Sequence, residues 1–359
     1  MIIFALFHNA KIILWKKNYR NIDVLKGVCI LIVIVEHAKW SLSQWRIGLF
    51  PFWDRIAIPF FMVISGFVYS KSIENKTLQD TYSFHELFRK FKRYLIPFAT
   101  VYAVELLIYF VCGIPSVQNL LLKIFHFQFD SNPWNHLAFP SIFVHFLSGG
   151  IGPGDYYTPM IIQLILLFPL LYYFIRKYQY KGLIISFISC FVFELIQYVF
   201  HIPNSIYRLL VFRHLLPICF GIYLSLGLYQ RNKVLNMLSL LIGFIYILAV
   251  NYHDMIPSFF NRSWSDVNFM SCLFYLPIIA FILSKQITFK PLEQIGKASY
   301  HIYLIQMLYY NFVKKSILIK FLKNQFLWCT LSLLICVLIG FAFYKTENRL
   351  LKKLKKLII

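Results

Sequence analysis

The chain has 359 residues, 59% of them hydrophobic, with a mean hydropathy of +0.66 and a formal charge of +22. Soluble domains are about 45–50% apolar, so this composition excludes an ordinary soluble protein and points to a polytopic membrane protein. The positive charge does not mark a nucleic-acid binder, because Lys and Arg cluster at the ends of apolar stretches, where anionic lipid headgroups are the natural counter-charge.

Residues 1–21 read as a cytoplasmic N-terminal segment. Their apolar start is broken by His8, Asn9 and Lys11 and lacks a small-residue cleavage site, so it fits an interfacial helix better than a cleavable signal. A transmembrane domain is expected over residues 22–345, followed by a basic cytoplasmic tail over 346–359. At about 20 residues per span, about ten helices are predicted in a single all-α bundle: roughly 22–40, 54–71, 94–113, 156–175, 182–201, 205–226, 234–251, 267–284, 299–314 and 325–345. A tight His201-Ile-Pro-Asn204 turn separates the fifth from the sixth. The ninth runs into Lys314 and Lys315. No internal repeat is visible.

Basic residues recur in alternate connections: Lys11 to Arg20, Lys71 to Arg93, Arg176 to Lys181, Arg231 and Lys233, Lys285 to Lys297, and the tail from Lys345. By the positive-inside rule both termini are expected in the cytoplasm. Lys314, Lys315, Lys320 and Lys323 break this pattern in the last outer connection. The longest connection, 114–155, falls outside. It is rich in aromatics (Phe125, Phe127, Phe129, Trp134, Phe139, Phe143) and contains Gly149-Gly-Ile-Gly-Pro-Gly154. Connections of this length usually contain structure of their own, here expected as short interfacial or re-entrant helices covering an opening. The glycine run lacks the Gly-Lys-Ser/Thr of a phosphate loop, so a hinge before the fourth span is the better reading. The seven cysteines lie in or beside apolar segments without a Cys-x-x-Cys pair and read as small hydrophobes.

The first span is unusual because it carries Asp23, Lys26, Glu36 and His37. Each charge in hydrocarbon costs roughly 2.5–3.5 kcal/mol even on the lenient insertion scale. On a continuous helix Lys26 and His37 lie within about 20° of each other and roughly 16 Å apart along the axis, with Asp23 about 40° from His37 and Glu36 pointing elsewhere.

Seven stretches in order resemble the acyltransferase-3 family of integral-membrane acyltransferases, especially those that O-acetylate cell-surface polysaccharides. They are Asn21-Ile-Asp-Val-Leu-Lys-Gly with Glu36-His37; Pro59-Phe-Phe-Met-Val-Ile-Ser-Gly-Phe67; Arg89-Lys-Phe-Lys-Arg-Tyr-Leu-Ile-Pro97; Tyr156-Tyr-Thr-Pro-Met-Ile-Ile-Gln163 with Leu167 to Leu171; Arg208 and Arg213-His-Leu-Leu-Pro217 with Phe220 to Tyr223; Ile295-Gly-Lys-Ala-Ser-Tyr-His-Ile-Tyr-Leu304; and Phe343-Tyr-Lys-Thr-Glu347. The resemblance spans nearly the whole chain. It implies that Lys26 and His37 match an Arg-x10-His element concerned with acyl transfer, with Lys in place of Arg. The cation is kept and forked recognition is lost, which suits Lys26 to point-charge contact with a phosphate or carboxylate. A position often occupied by His in relatives is Gln306 here, leaving His37 as the main acid–base candidate. Nothing is carried over for Glu36.

Transfer of an acyl group from a thioester to a hydroxyl needs a base, donors for the oxyanion and a donor site. Imidazole suits the first task, so His37 is assigned to it. Asp23 has two readings: a first-turn acid favoured by the helix dipole, or a partner of Lys26 at the cytoplasmic end of the site. Arg208 and Arg213, about 140° apart on a continuous helix, are candidates for substrate or oxyanion contact. Tyr157 and Gln163, on different faces, are candidate neutral donors. Ser299 and Tyr300 line a cavity, or Ser299 is an N-cap. Arg89, Lys90, Lys92 and Arg93 set topology or receive the phosphates of coenzyme A, with Arg93 and Lys92 as the chosen pair. Ser65-Gly66 reads as a close helix crossing, and Glu347 as a partner of Lys345 or Arg349.

The resulting expectation is a bacterial inner-membrane O-acetyltransferase using acetyl-CoA to modify a surface glycan or its lipid-linked precursor, in contact with membrane lipids, with no metal and no nucleic acid. A transporter of a polar glycan-type substrate is the alternative, and a non-catalytic scaffold a weaker one.

Overall fold

The computed structural model describes residues 20–38, 40–116, 118, 133–229, 232–260, 267–313 and 324–358. The expected N-terminal interfacial helix, Arg231, the aromatics Phe125, Phe127 and Phe129, and the basic stretch from Lys314 to Lys323 lie outside them.

All regular structure among the described residues is helical. The helices are α1 (Arg20–Glu36), α2 (Leu42–Ile47), α3 (Phe50–Trp53), α4 (Ala57–Ile73), α5 (Leu78–Thr81), α6 (Phe84–Gly113), α7 (Pro133–Leu137), α8 (Phe139–Ser148), α9 (Tyr157–Tyr178), α10 (Tyr180–Val199), α11 (Asn204–Tyr207), α12 (Leu215–Ser225), α13 (Lys233–Tyr252), α14 (Phe269–Leu283), α15 (Lys290–Lys297), α16 (Ser299–Phe312) and α17 (Gln325–Ile358). The protein is an all-α polytopic membrane protein. Among the described residues six stretches are long and apolar enough to cross a membrane: Phe50–Ile73, Leu78–Gly113, Tyr157–Tyr178, Tyr180–Val199, Lys233–Tyr252 and Gln325–Lys353. Every one of the ten expected segments contains helix, but α1, α14 and α16 have only 17, 15 and 14 residues.

The sixth segment corrects the expectation. It is broken: α11 ends at Tyr207, Val211–His214 is a 3-10 turn, and only then does α12 begin. Arg208 and Arg213 therefore do not share a continuous helix, and the 140° relation between them does not apply. Unwound backbone in an apolar setting needs partners for its polar groups. Gln163 supplies them, its Nε2 donating to Leu209 O at 2.7 Å and its Oε1 accepting from Val211 N–H at 3.2 Å.

The chain divides into two compact units. The first comprises the described parts of Met1–Cys29, Ser41–Leu87 and Gln163–Gly296. Its core is the crossing of α4 and α12, where a Cβ on Gly66 would collide with Ile218 O and one on Gly221 with Val63 O. The Ser65-Gly66 step is thus a close crossing, as expected, since only glycine lets the backbones approach this far. The second unit comprises the described parts of Ile30–Trp40, Phe88–Ile162 and Lys297–Ile359. Here α16 packs on α17, with the Tyr309 and Trp328 rings stacked at 5.9 Å and Tyr309 Oη 3.2 Å from Ser332 Oγ. α8, the short helix expected in the long connection, packs on α6 through Phe98 and Phe146 and a Tyr102 O–H donation to Ile142 O at 2.7 Å.

Candidate active site

A helix leaves its last carbonyls without intrahelical partners. At the end of α1 those partners come from the rest of the second unit. Tyr310 Oη donates to Ile34 O at 2.8 Å and Trp40 Nε1 to Val35 O at 2.7 Å; Gln325 Nε2 and Trp328 Nε1 donate to Ala38 O at 2.9 and 3.2 Å. His37 lies within this clamp. It is the first residue past α1 rather than a position on its face, with its N–H still bonded to Val33 O at 3.2 Å before Ala38 N–H turns to Val35 O. α16 and α17 thus hold the backbone on both sides of a half-buried imidazole.

The imidazole faces two features. Its ring centroid is 6.2 Å from that of Tyr310. Its Nε2 lies 4.0 Å from where a Cβ on Gly154 would stand. Gly154, at φ +92°, closes the glycine run, in which Gly149 and Gly150 also have positive φ. Tyr303 Oη donates to Gly154 O at 2.7 Å. The Tyr303 ring stacks on Tyr300 at 5.8 Å and meets Tyr157 edge-on at 5.3 Å. Tyr300 Oη in turn donates to Tyr94 O at 3.1 Å and lies 3.4 Å from Thr158 Oγ1. Tyr157 and Tyr300 are therefore brought to the Gly154–Tyr303 wall beside His37. Ser299 begins α16 but does not cap it; Ala298 holds the N-cap position.

Two buried carboxylates at the glycine run escaped the sequence reading. Glu105 of α6 is fully buried; it accepts from Asn311 Nδ2 at 2.8 Å and from the N–H of Ile151 inside the glycine run. Asn311 also donates to Tyr109 Oη at 3.0 Å. Asp155 follows the run directly and is 5% exposed. The signal for Glu105 was present, a lone acid within the third apolar segment. Beyond Tyr109 lies His136, its ring 4.6 Å away, with His136 Nδ1 3.4 Å from His145 Nε2. Burial pulls His136 below its ordinary 6.5.

The remaining candidates are not among the residues that form this clamp. In the first unit Lys26 Nζ is 3.3 Å from Asp23 Oδ1, with side chains 23% and 24% exposed. Asp23 is a first-turn acid of α1 and also the ion-pair partner of Lys26. Arg213 is 3% exposed, with its guanidinium carbon 5.6 Å over the Tyr207 ring, and Glu194, itself 3% exposed, lies close to Tyr207. Arg208 is half-buried at the end of α11, and Gln163 holds the backbone break. In the second unit Arg93 and Lys92 are exposed, with Lys92 Nζ 4.4 Å over Phe88, whereas Lys90 is buried. Glu347 is paired with His301 rather than with Lys345 or Arg349, which corrects the local pairing expected from sequence.

Compared with known proteins, residues 19–345 match the acyltransferase-3 family model, described as an acyltransferase domain. No curated protein and no solved structure matches the chain. Nothing in the comparison supports the transporter reading.

Proposed function

The chain belongs to the acyltransferase-3 family of membrane acyltransferases, and from that premise we propose that it moves an acetyl group from acetyl-CoA to a hydroxyl of a bacterial surface glycan or its lipid-linked precursor. It does so in the cytoplasmic membrane with both termini on the cytoplasmic side, the orientation favoured by its basic connections.

His37 takes the proton of the acceptor hydroxyl as the hydroxyl oxygen bonds to the thioester carbonyl carbon. The carbon–sulfur bond then breaks, the sulfur leaves with its electron pair, and the imidazolium returns the proton to it. The carrying observation is the pairing of a backbone clamped on both sides of His37 with an Nε2 that faces a residue lacking a Cβ. The clamp orients the base, and the glycine leaves room for a reacting group beside it. Lys26, oriented by Asp23, offers a compact charge to an anionic part of the donor. Arg93 and Lys92, exposed at the start of the third span, suit the phosphates of coenzyme A. Arg208 and Arg213 carry no step in this scheme, and Arg213 is engaged with Tyr207.

The test is mass spectrometry of surface polysaccharide from cells with and without the gene. Loss of one acetyl mass per modified sugar is expected, and its retention only where the gene is restored. An unchanged ester profile with the glycan still made would refute the acceptor assignment.

A further inference from the structure

Gln306, on α16, has none of its surface exposed, and neither its Nε2 nor its Oε1 has a hydrogen-bond partner among the described residues. Buried polar groups are nearly always paired, and one left unmet in a native fold calls for an explanation. Its position supplies one. At about 100° per residue, Gln306 lies about 60° from Tyr303 and about 40° from Tyr310 on α16. Tyr310 adjoins the His37 ring, and Tyr303 holds the Gly154 carbonyl beside His37 Nε2. The unmet amide therefore belongs to the face of α16 that borders the imidazole.

A carboxamide presents a donor and an acceptor side by side. A carboxylate would meet only the donor, and an ammonium only the acceptor. A ligand amide carries both complementary groups, a C=O for the Nε2 donor and an N–H for the Oε1 acceptor. The arm of an acyl-CoA between its phosphates and its sulfur carries two secondary amides. We propose that Gln306 is a binding residue for an amide of the acyl donor's arm, and that it makes the enzyme prefer acyl-CoA over a bare thioester. This rests on the acyl-CoA reading above.

The experiment uses the full chain in lipid nanodiscs and the variant Gln306→Met, which keeps the volume and removes the polar atoms. KM and kcat are measured with acetyl-CoA and with a short acetyl thioester that has no amide, and thermal unfolding is followed without donor. The KM for acetyl-CoA should rise about tenfold, the equivalent of one good hydrogen bond, with KM carrying most of the change. The KM for the amide-free thioester should stay put. The donor-free unfolding temperature should hold or rise, because an unmet polar group has been removed. An unchanged KM for acetyl-CoA, an equal rise with both thioesters, or a fall in the donor-free unfolding temperature would each overturn the inference. If His37→Ala abolishes turnover in the same assay while Gln306→Met does not alter KM, the inference fails and the acyltransferase reading stands. If the unaltered protein does not turn over acetyl-CoA, both fail.

Discussion

The surroundings of His37 and of Arg213 both put titratable side chains inside an apolar protein, yet they resolve the cost in opposite ways. Around Arg213 the polar groups gather on one another: a guanidinium over Tyr207, and Glu194 close to Tyr207, with arginine and glutamate each 3% exposed. Around His37 four side chains donate to backbone carbonyls, at Ile34, Val35 and Ala38, and the imidazole stands half-buried against Gly154 and Tyr310. A charge in a membrane helix is a functional candidate by default. The contrast is one of placement: Arg213 is almost wholly enclosed over an aromatic ring, whereas His37 is half-buried on a clamped backbone beside a glycine.

The strongest way to break this contrast is to delete both side chains separately. His37→Ala should lower turnover by about 10²–10⁴-fold, the usual worth of a positioned acid–base group, and leave thermal unfolding nearly unchanged. Arg213→Ala should instead destabilise the fold by about 3–5 kcal/mol, because it strands Glu194 and Tyr207 without the neighbouring cation. Paired unfolding and turnover assays in nanodiscs decide it. A stable Arg213→Ala protein that loses only turnover would erase the distinction.

Glu105 sharpens the comparison, since it is fully buried like Glu194 but bonded to the glycine run. It is a positioning residue. Glu105→Leu removes the acceptor for Ile151 N–H and should reduce kcat by about 10–100-fold, the scale of a lost charge-assisted hydrogen bond. Glu105→Gln keeps one acceptor and should restore most of that rate. Equal losses in the two variants would mean that the carboxylate does more than hold the loop. Gly154→Ala should have a smaller effect. It forces a Cβ into φ +92°, at a cost of about 1–2 kcal/mol, and 3.3 Å from the Tyr303 ring. A drop in turnover of about tenfold with a modest fall in unfolding temperature is expected, and a fully active, fully stable variant would remove the loop from the site.

Much of this was legible in the sequence because membrane helices announce themselves by length and apolarity. Each expected span contains helix, and Ser65-Gly66 marked a close helix crossing in the sequence itself. His37 was legible as an imidazole at the end of an apolar run. What surrounds it was not, since Tyr303, Tyr310 and Gly154 reach it through long-range packing that no local pattern encodes. The break at Leu209 was hidden for the same reason: its supporting amide, Gln163, comes from another helix. Glu347 misled because cations close in sequence, Lys345 and Arg349, compete on paper with His301, which wins in space. Glu105 differs from these, because the rule that singled out the first span applies to it unchanged.

The smallest predicted effect concerns the outer edge of the glycine-run support. His136 packs on Tyr109 and faces His145, and Tyr109 accepts from Asn311, which also donates to Glu105. Burial holds the folded-state pKa of His136 below the ordinary 6.5. Above that value His136 is neutral in both folded and opened forms, and pH has no hold on it. As pH falls through 6.5 the opened form takes the proton first, so the docking of α7 and α8 weakens with acidification. A proton on His136 would also repel one on His145. Hydrogen exchange in α7 and α8 should therefore be faster at pH 5.5 than at pH 7.5, and His136→Gln should remove most of the difference. Exchange that slows on acidification, after correction for the intrinsic rate, would mean the imidazole gains a partner when charged and would reverse the sign of this linkage.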